Sequence, residues 1–338
     1  MESKHVLALL AVIVIVEAFV IGYLAVSNSS LKSDLEQLQS NYEELLNEYN
    51  QLMAERFPVT LVDDFGRVVT VSSEPTRIVS LAPSSTEILF ALGLGDRVVG
   101  VTEYCDYPPE VVELKENGSI AVVGGYTTVD VEAVLQLQPD LVVASTSLQR
   151  DVVTTLEGYG LTVIALDPHD LSEMFADIIL VGRATGKLVE AQQLVQQLES
   201  RVQAVVNKVK DLPKLKVYYE LWYNPLMSVG PGTFIDSLIT MAGGENIFSD
   251  ASTQYPMVSS EDVIARNPDV IIVPDSYMAS YNITVDEIAS RSGWSSISAV
   301  ANGRIYFIDE DIIVRPGPRL VDGLEQLAHL IHPEAFEE

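Results

Sequence analysis

A segment of seventeen residues occurs twice in this sequence, and this duplication constrains the fold more than any other feature. VDVEAVLQLQPDLVVAS spans 129–145 and VSSEDVIARNPDVIIVP spans 258–274, at a constant offset of 129 positions. The matched positions are Glu132/Glu261, Val134/Val263, Pro139/Pro268 and Asp140/Asp269. Each copy predicts a helix with an acidic first turn, followed by a buried strand. The duplication therefore predicts two related α/β lobes.

The region between the two copies predicts a helical connection. Residues 171–211 have a helical pattern that breaks near Gly186, and Pro213 ends it. The second part keeps one apolar face, made of Leu188, Ala191, Leu194, Leu198, Val202, Val205 and Val209. We therefore expect an N-terminal lobe at 58–170, bridging helices at 171–213 and a C-terminal lobe at 214–338. Two lobes joined in this way leave one cleft between them, and such interfaces are where ligands usually bind.

Local patterns predict further elements inside each lobe. Residues 60–71 predict a hairpin around Asp64-Phe65-Gly66, and 77–95 predict a strand, a loop at Pro83-Ser84-Ser85 and a helix. Apolar runs predict strands at 98–101, 140–145, 161–166, 216–223, 269–274 and 304–309. A helix is expected at 318–331.

The N-terminus predicts a membrane-spanning segment. Residues 6–26 are apolar except for Glu17. A helix of this length reaches roughly 30 Å, the thickness of a hydrocarbon core. We expect residues 1–27 to be a single-pass anchor that leaves the rest of the chain outside the cytoplasm. The alternative is a cleaved signal peptide, with Ala25-Val26-Ser27 as a poor cleavage site. No cysteine lies near the end of the run, which argues against a lipid anchor.

A heptad pattern follows the apolar run. Its a and d positions are Leu31, Leu35, Leu38, Tyr42, Leu45, Tyr49 and Leu52, and the pattern ends before Pro58. Residues 28–57 therefore predict a helical coiled-coil stalk. About three heptads are marginal for stable association, so a plain helical stalk and weak self-association both remain open.

Composition and missing motifs exclude several functions. The formal net charge is −28, with no clustered cations, so nucleic acid is not an expected partner. Nucleotide-binding glycine motifs, the nucleophile elbow and the HExxH zinc motif are absent. Cys105 is the only cysteine, and the pair His329 and His332 makes a poor metal site. We expect no catalytic residues, no metal and no cofactor.

Several segments together resemble one known family. They are RIVSLAPSSTEILFALG, VTEYCDYPPEV, GPGTFIDSLITMAGGENIF, YPMVSSEDVIARNPDVIIV and RPGPRLVDGLEQLAHLIHPE, within about residues 60–333. The family is the periplasmic binding proteins of ABC importers for cobalamin, ferric siderophores and haem. The resemblance implies two doubly wound, Rossmann-like α/β lobes bridged by a long rigid helix, and it implies no catalysis.

The resemblance also implies a set of ligand-binding residues. Tyr104 looks like the family's cleft aromatic, and Tyr126 stands where cobalamin-binding members place a tryptophan. Trp222, Tyr223 and Arg315 are similarly expected to face the cleft, with Tyr255 as a further aromatic there. Core packing is the competing interpretation for each aromatic residue. Arg319 is expected to pair with a local carboxylate.

Glu132 and Glu261 resemble the two glutamates that dock the family's members onto the permease. Both also suit a helix N-terminus, where an acidic side chain contributes about 0.3–1 kcal/mol, and the two interpretations are compatible. The partners implied are an ABC permease and its ATPase.

The expected ligand is a near-neutral corrinoid, because the acidic background would repel an anion. A ferric siderophore complex or haem comes second, and Tyr104, Tyr126 or Tyr255 could bind a haem iron. The competing classes are a membrane-anchored ligand sensor or adaptor, which would lack a neighbouring permease, and an enzyme, which the missing motifs disfavour.

Overall fold

The computed structural model describes residues 32–33, 35–43, 45 and 57–336. Within the expected stalk, residues 32–33, 35–43 and 45 are helical and Phe57 is not, whereas the rest of 28–57 and the expected anchor at 1–27 lie outside the described residues. Among the residues that the structure describes, no helix is both long and apolar enough to cross a bilayer.

The N-terminal lobe contains a parallel sheet and a small hairpin. The strands are β1 (Val59–Val62), β2 (Val68–Val71), β3 (Ile78–Ser80), β4 (Val98–Val101), β5 (Ala121–Val122), β6 (Leu141–Ser145) and β7 (Val163–Leu166). The helices are α1 (Pro83–Ala91), α2 (Glu110–Glu116), α3 (Val131–Gln136) and α4 (Arg150–Gly158). The parallel sheet has the order β5-β4-β3-β6-β7, and β1 and β2 pair as the predicted antiparallel hairpin.

Two helices connect the lobes. These are α5 (Leu171–Thr185) and α6 (Leu188–Val209), and they separate at Gly186, which adopts the left-handed conformation with φ 74°. Helix α5 packs on α1 and β1 of the N-terminal lobe. Helix α6 packs on α5 with its apolar face and spans about 33 Å at 1.5 Å per residue.

The C-terminal lobe repeats the parallel architecture. Its strands are β8 (Leu215–Tyr219), β9 (Trp222–Tyr223), β10 (Leu226–Met227), β11 (Gly244–Asn246), β12 (Val270–Pro274) and β13 (Ile305–Ile308). Its helices are α7 (Phe234–Met241), α8 (Ser260–Arg266), α9 (Ser276–Tyr281), α10 (Val285–Ala289), α11 (Ser298–Ala301), α12 (Asp311–Val314) and α13 (Leu320–Ile331). The sheet order is β11-β8-β12-β13, and α13 packs on both α6 and α7.

The duplicated segment is a structural repeat. Helix α3 leads into β6 beside β3, and α8 leads into β12 beside β8, in parallel pairs. The equivalent residue just past the helix is left-handed in both copies: Gln138 (φ 47°) lies two residues after α3, and Asn267 (φ 48°) follows α8 directly. The following aspartates, Asp140 and Asp269, each accept a hydrogen bond from the backbone N–H at the start of the neighbouring strand. The repeat therefore specifies the strand and also the aspartate that fixes this strand to its neighbour in the sheet.

One strand prediction is wrong. The run 216–223 reads as a single strand, but β8 ends at Tyr219. The Glu220 carboxylate is buried against the Arg291 guanidinium, and the chain then turns into the separate hairpin of β9 and β10. This turn sets the position of Trp222 and Tyr223, which follow it.

Candidate ligand-binding cleft

A cavity of about 370 Å³ lies between the two lobes. It is lined by Ala82, Pro83, Ser84, Tyr104, Tyr126, Ser145, Thr146, Val314, Arg315 and Pro316. The lining residues that belong to the N-terminal lobe lie at or beyond the carboxyl ends of β3, β4, β5 and β6. The strand order reverses between β3 and β6, and ligands bind at such a switch point in open parallel sheets.

The structure brings together three of the residues expected at the cleft, namely Tyr104, Tyr126 and Arg315. The Tyr104 side chain is 56% exposed, so its ring is available to a ligand. Tyr126 is half-buried, and its hydroxyl makes a 2.8 Å hydrogen bond with Thr146 Oγ1. Burial raises the pKa of the Tyr126 hydroxyl, which therefore stays protonated at neutral pH.

Arg315 lines the cavity, but carboxylates of the protein already engage its charge. Its Nη2 lies 2.7 Å from Asp311 Oδ1 in the same lobe. The same guanidinium makes hydrogen bonds to both carboxylate oxygens of Asp106 in the N-terminal lobe. Burial alone would raise the pKa of Asp106, but the hydrogen bond and charge of Arg315 outweigh burial and lower it. Arg315 is thus largely neutralised in this structure, a feature that only the folded arrangement reveals.

Trp222 and Tyr223 lie in an aromatic cluster of the C-terminal lobe rather than in the lining of this cavity. Their rings contact those of Tyr277 and Tyr281, with centroid distances between 5.0 and 6.1 Å. Trp222 is 36% exposed, whereas Tyr277 is buried. Tyr255 is 54% exposed on the segment before α8 and does not line the cavity either. The expectation that these residues face the cleft stays a prediction.

A second ion pair between the lobes was not apparent from the sequence. Arg319 Nη2 donates a 2.7 Å hydrogen bond to Oε1 of Glu87, and the Arg319 guanidinium stacks at 4.0 Å on the ring of Tyr107. Glu87 belongs to α1, so the carboxylate partner of Arg319 is not local, contrary to expectation. Burial raises the pKa of Glu87, although Arg319 and Arg315 oppose this change. The sequence signal that could have indicated a buried partner for Glu87 is the polar run Ser84-Ser85-Thr86-Glu87, which opens a buried helix.

Glu132 and Glu261 occupy the same place in the two repeats. Each lies in the first turn of its helix, α3 or α8, and each is exposed. Their helices are capped by other residues, since Asp130 and Ser259 accept the hydrogen bonds from the helix N-termini. Neither glutamate has an ion-pair partner among the described residues, so both carboxylates are free to meet a partner protein.

The two histidines near the C-terminus, His329 and His332, lie in ordinary packing environments. His332 is buried, and its Nε2 lies 3.1 Å from the carbonyl oxygen of Gly243. His329 stacks on Phe336. Within the described part of the chain, no group of three or more His, Cys, Asp or Glu side chains is arranged to hold a metal ion.

Comparison with known proteins agrees with this architecture. The model of a family described as periplasmic binding protein matches residues 78–312. An uncharacterized ABC transporter substrate-binding lipoprotein, YvrC of Bacillus subtilis, is 37% identical over 292 residues, covering 84% of this chain and 88% of that protein. A protein of Halobacterium salinarum named cobalamin-binding protein is 32% identical over 282 residues, covering 82% of this chain and 74% of that protein.

A solved structure shows the same fold. The periplasmic heme-binding protein RhuT of Roseiflexus sp. RS-1, in its apo form, superimposes with a TM-score of 0.68 at 28% identity, covering 78% of this chain and all of that chain. Two parallel α/β sheets with a ligand-sized cavity between them are the architecture expected of a solute-binding protein. This chain belongs to the periplasmic binding protein family.

Proposed function

We propose that the cleft carries a corrinoid to an ABC permease. The observation that carries this proposal is the state of the cavity: Arg315 is the one cation among its ten lining residues, and Asp106 and Asp311 already engage it. An anionic ferric siderophore would lack a free positive charge there. Exposed aromatic surface at Tyr104 and the half-buried Tyr126 suit a large, nearly neutral ring system. The relative named cobalamin-binding protein supports the same choice.

Haem is the alternative ligand, and one observation favours it. The similar RhuT structure is named for haem binding, and the exposed Tyr104 could supply a tyrosinate to iron, whereas the raised pKa of Tyr126 disfavours a tyrosinate there. Haem also carries two propionates, which the neutralised Arg315 would not pair. Isothermal titration of the purified full-length chain with cyanocobalamin, haemin and a ferric hydroxamate separates the three ligands. We expect micromolar or tighter binding of cyanocobalamin. If haemin or the ferric hydroxamate binds and cyanocobalamin does not, the corrinoid proposal is refuted.

Removing the exposed aromatic ring at the cleft should weaken ligand binding. Burial of an aromatic side chain contributes about 1.5–3 kcal/mol, so Tyr104→Ala should raise the Kd by about 10- to 100-fold. Tyr104→Phe should change the Kd by less than about threefold, because the ring is retained. The matched control is Tyr159→Ala, at a similarly exposed tyrosine (65%) that directly follows α4 and does not line the cavity. Equal Kd values for Tyr104→Ala and the control would contradict the role of Tyr104.

The paired glutamates are proposed to dock the protein onto its permease. Their equivalent, exposed positions on two related lobes suit a two-fold symmetric partner that presents cations. Charge reversal of both (Glu132→Lys with Glu261→Lys) should abolish uptake in cells or proteoliposomes, whereas the Kd for the ligand should stay within about twofold. Reversal of Asp130 is unsuitable as a control because Asp130 caps α3, but Glu116→Lys, at the exposed end of α2, is suitable. Uptake that survives the double reversal would show that docking occurs elsewhere.

Attachment to the membrane is proposed to depend on residues 6–26. The related lipoprotein is anchored by lipid according to its name, but the only cysteine of this chain, Cys105, is buried in the N-terminal lobe. A retained apolar helix at 6–26 would hold the lobes outside the cytoplasm on a stalk that could also self-associate weakly. The intact mass of the native protein tests this proposal, since a mature N-terminus near Asn28 would show that the segment is removed.

A further inference from the structure

One buried amide side chain ties together three of the strand ends that form the cleft. Gln149 is 0% exposed and lies in the turn 147–149 that follows β6. Its Oε1 accepts a 2.8 Å hydrogen bond from Ser145 N–H. Its Nε2 donates hydrogen bonds to the carbonyl oxygens of Leu81 (2.8 Å) and Tyr126 (2.7 Å). These groups lie at or just beyond the ends of β6, β3 and β5, so one side chain links three of the five strands.

The residue between Ser145 and this turn has a strained backbone. Thr146 has φ 59° and ψ 157°, a region that only glycine normally occupies, and a β-branched side chain makes this conformation still less favourable. Three hydrogen bonds hold it: its N–H donates to Leu166 (2.7 Å), its carbonyl accepts from Gln149 N–H (3.1 Å), and its Oγ1 bonds to Tyr126 OH (2.8 Å). Such strain persists only where the surroundings determine the conformation, and it is concentrated at functional sites.

We infer that Gln149 is a positioning residue for the cleft. It does not line the cavity, but the residues that it holds do, namely Tyr126, Ser145 and Thr146. Gln149 fixes the backbone of Tyr126 and the strained turn after β6. It thereby sets the position of the Tyr126 ring and maintains the hydrogen bond between the Tyr126 hydroxyl and Thr146 Oγ1. Ligand affinity therefore depends on a side chain that the ligand does not touch. The inference rests on the proposed function only in taking this cavity as the ligand site.

Gln149→Met tests the inference because methionine has a similar volume but makes none of the three hydrogen bonds. We expect the Kd for the ligand that binds the wild-type chain to rise by at least about tenfold, as several buried partners are left unpaired. The matched control is Val153→Ala, at a buried residue of α4 in the same lobe that does not contact the cavity. This control should lower the melting temperature while its Kd, measured well below melting, stays within about twofold. A Kd within twofold of wild type for Gln149→Met, or an equal loss in both variants, would overturn the inference.

A readout without ligand separates this inference from the choice of ligand. Hydrogen exchange in Gln149→Met should accelerate selectively in peptides covering 124–128 and 143–149, whereas Val153→Ala should not show this pattern. If the wild-type chain bound none of the three test ligands, the proposed function would fail, and the exchange pattern alone would decide the role of Gln149. Unchanged exchange at both peptides would overturn the inference whatever ligand binds.

Discussion

Replacing Asp177 with asparagine is expected to make the protein more stable at pH 8 by about 5 kcal/mol, as an upper bound from its pKa. Asp177 lies on α5 with 2% exposure, and its Oδ2 has no hydrogen-bond partner among the described residues. Burial raises the pKa of this carboxyl from 3.8 to about 9, and the nearby charges of Asp64 and Glu173 add to the effect. The native protein thus keeps a proton there at neutral pH.

The sign of the effect follows from proton binding. Above pH 4 the unfolded chain loses the Asp177 proton, but the native protein retains it until the pH approaches 9. The native state therefore binds more protons over this range, and this group lowers the free energy of unfolding as the pH rises. Asparagine cannot titrate, so the difference between variant and wild type should be near zero at pH 4 and should grow towards pH 9.

Urea unfolding at pH 4, 6 and 8 measures this difference. Asp151→Asn, at an exposed residue of α4, serves as the control and should differ from wild type by less than about 1 kcal/mol throughout. A difference between Asp177→Asn and wild type that does not change with pH would show that the native carboxyl is not held protonated.

Replacing Arg319 with methionine is expected to destabilise the protein by about 3–5 kcal/mol, because it removes the hydrogen-bonded partner of the buried Glu87 carboxylate and leaves only Arg315 Nη1 nearby, at 4.0 Å. Glu87 is 3% exposed, and Arg319 joins it from the other lobe at 2.7 Å. Removing one member of a buried pair costs more than the pair contributes, since the remaining charge stays out of water. The substitution also removes a contact between the lobes.

The control for this prediction is another arginine ion pair that contacts α13. Arg201 bonds to Asp322 and Glu325, but all three side chains are more than a third exposed. Arg201→Met should therefore cost no more than about 1 kcal/mol. Adding Glu87→Gln to Arg319→Met should recover part of the loss, because the amide carries no charge. Equal free energies of unfolding for Arg319→Met and Arg201→Met, from urea titration, would contradict the argument.

Much of the fold could be predicted from local patterns. The repeat at 129–145 and 258–274 correctly indicated a helix leading into a buried strand in each lobe. The break at Gly186 and the hairpin at 60–71 were also confirmed. These features depend on apolar periodicity and on residues that suit one backbone conformation, and such signals are contained within a few neighbouring residues. The family could be recognised for the same reason, because its motifs are short and local.

The tertiary structure alone decided how the charges and polar groups of the cleft are used. The sequence indicated Arg315 and Tyr126 as cleft residues, but it did not show that Asp106 engages Arg315 from 209 positions away. Nor did the sequence show that Glu87 pairs with Arg319, or that the Gln149 side chain bonds to the backbone carbonyl of Tyr126. The position of Trp222 was decided by a turn that a continuous apolar run concealed. An ion pair or a buried amide depends on how lobes and loops pack together, and residue type does not reveal the partner before that packing exists.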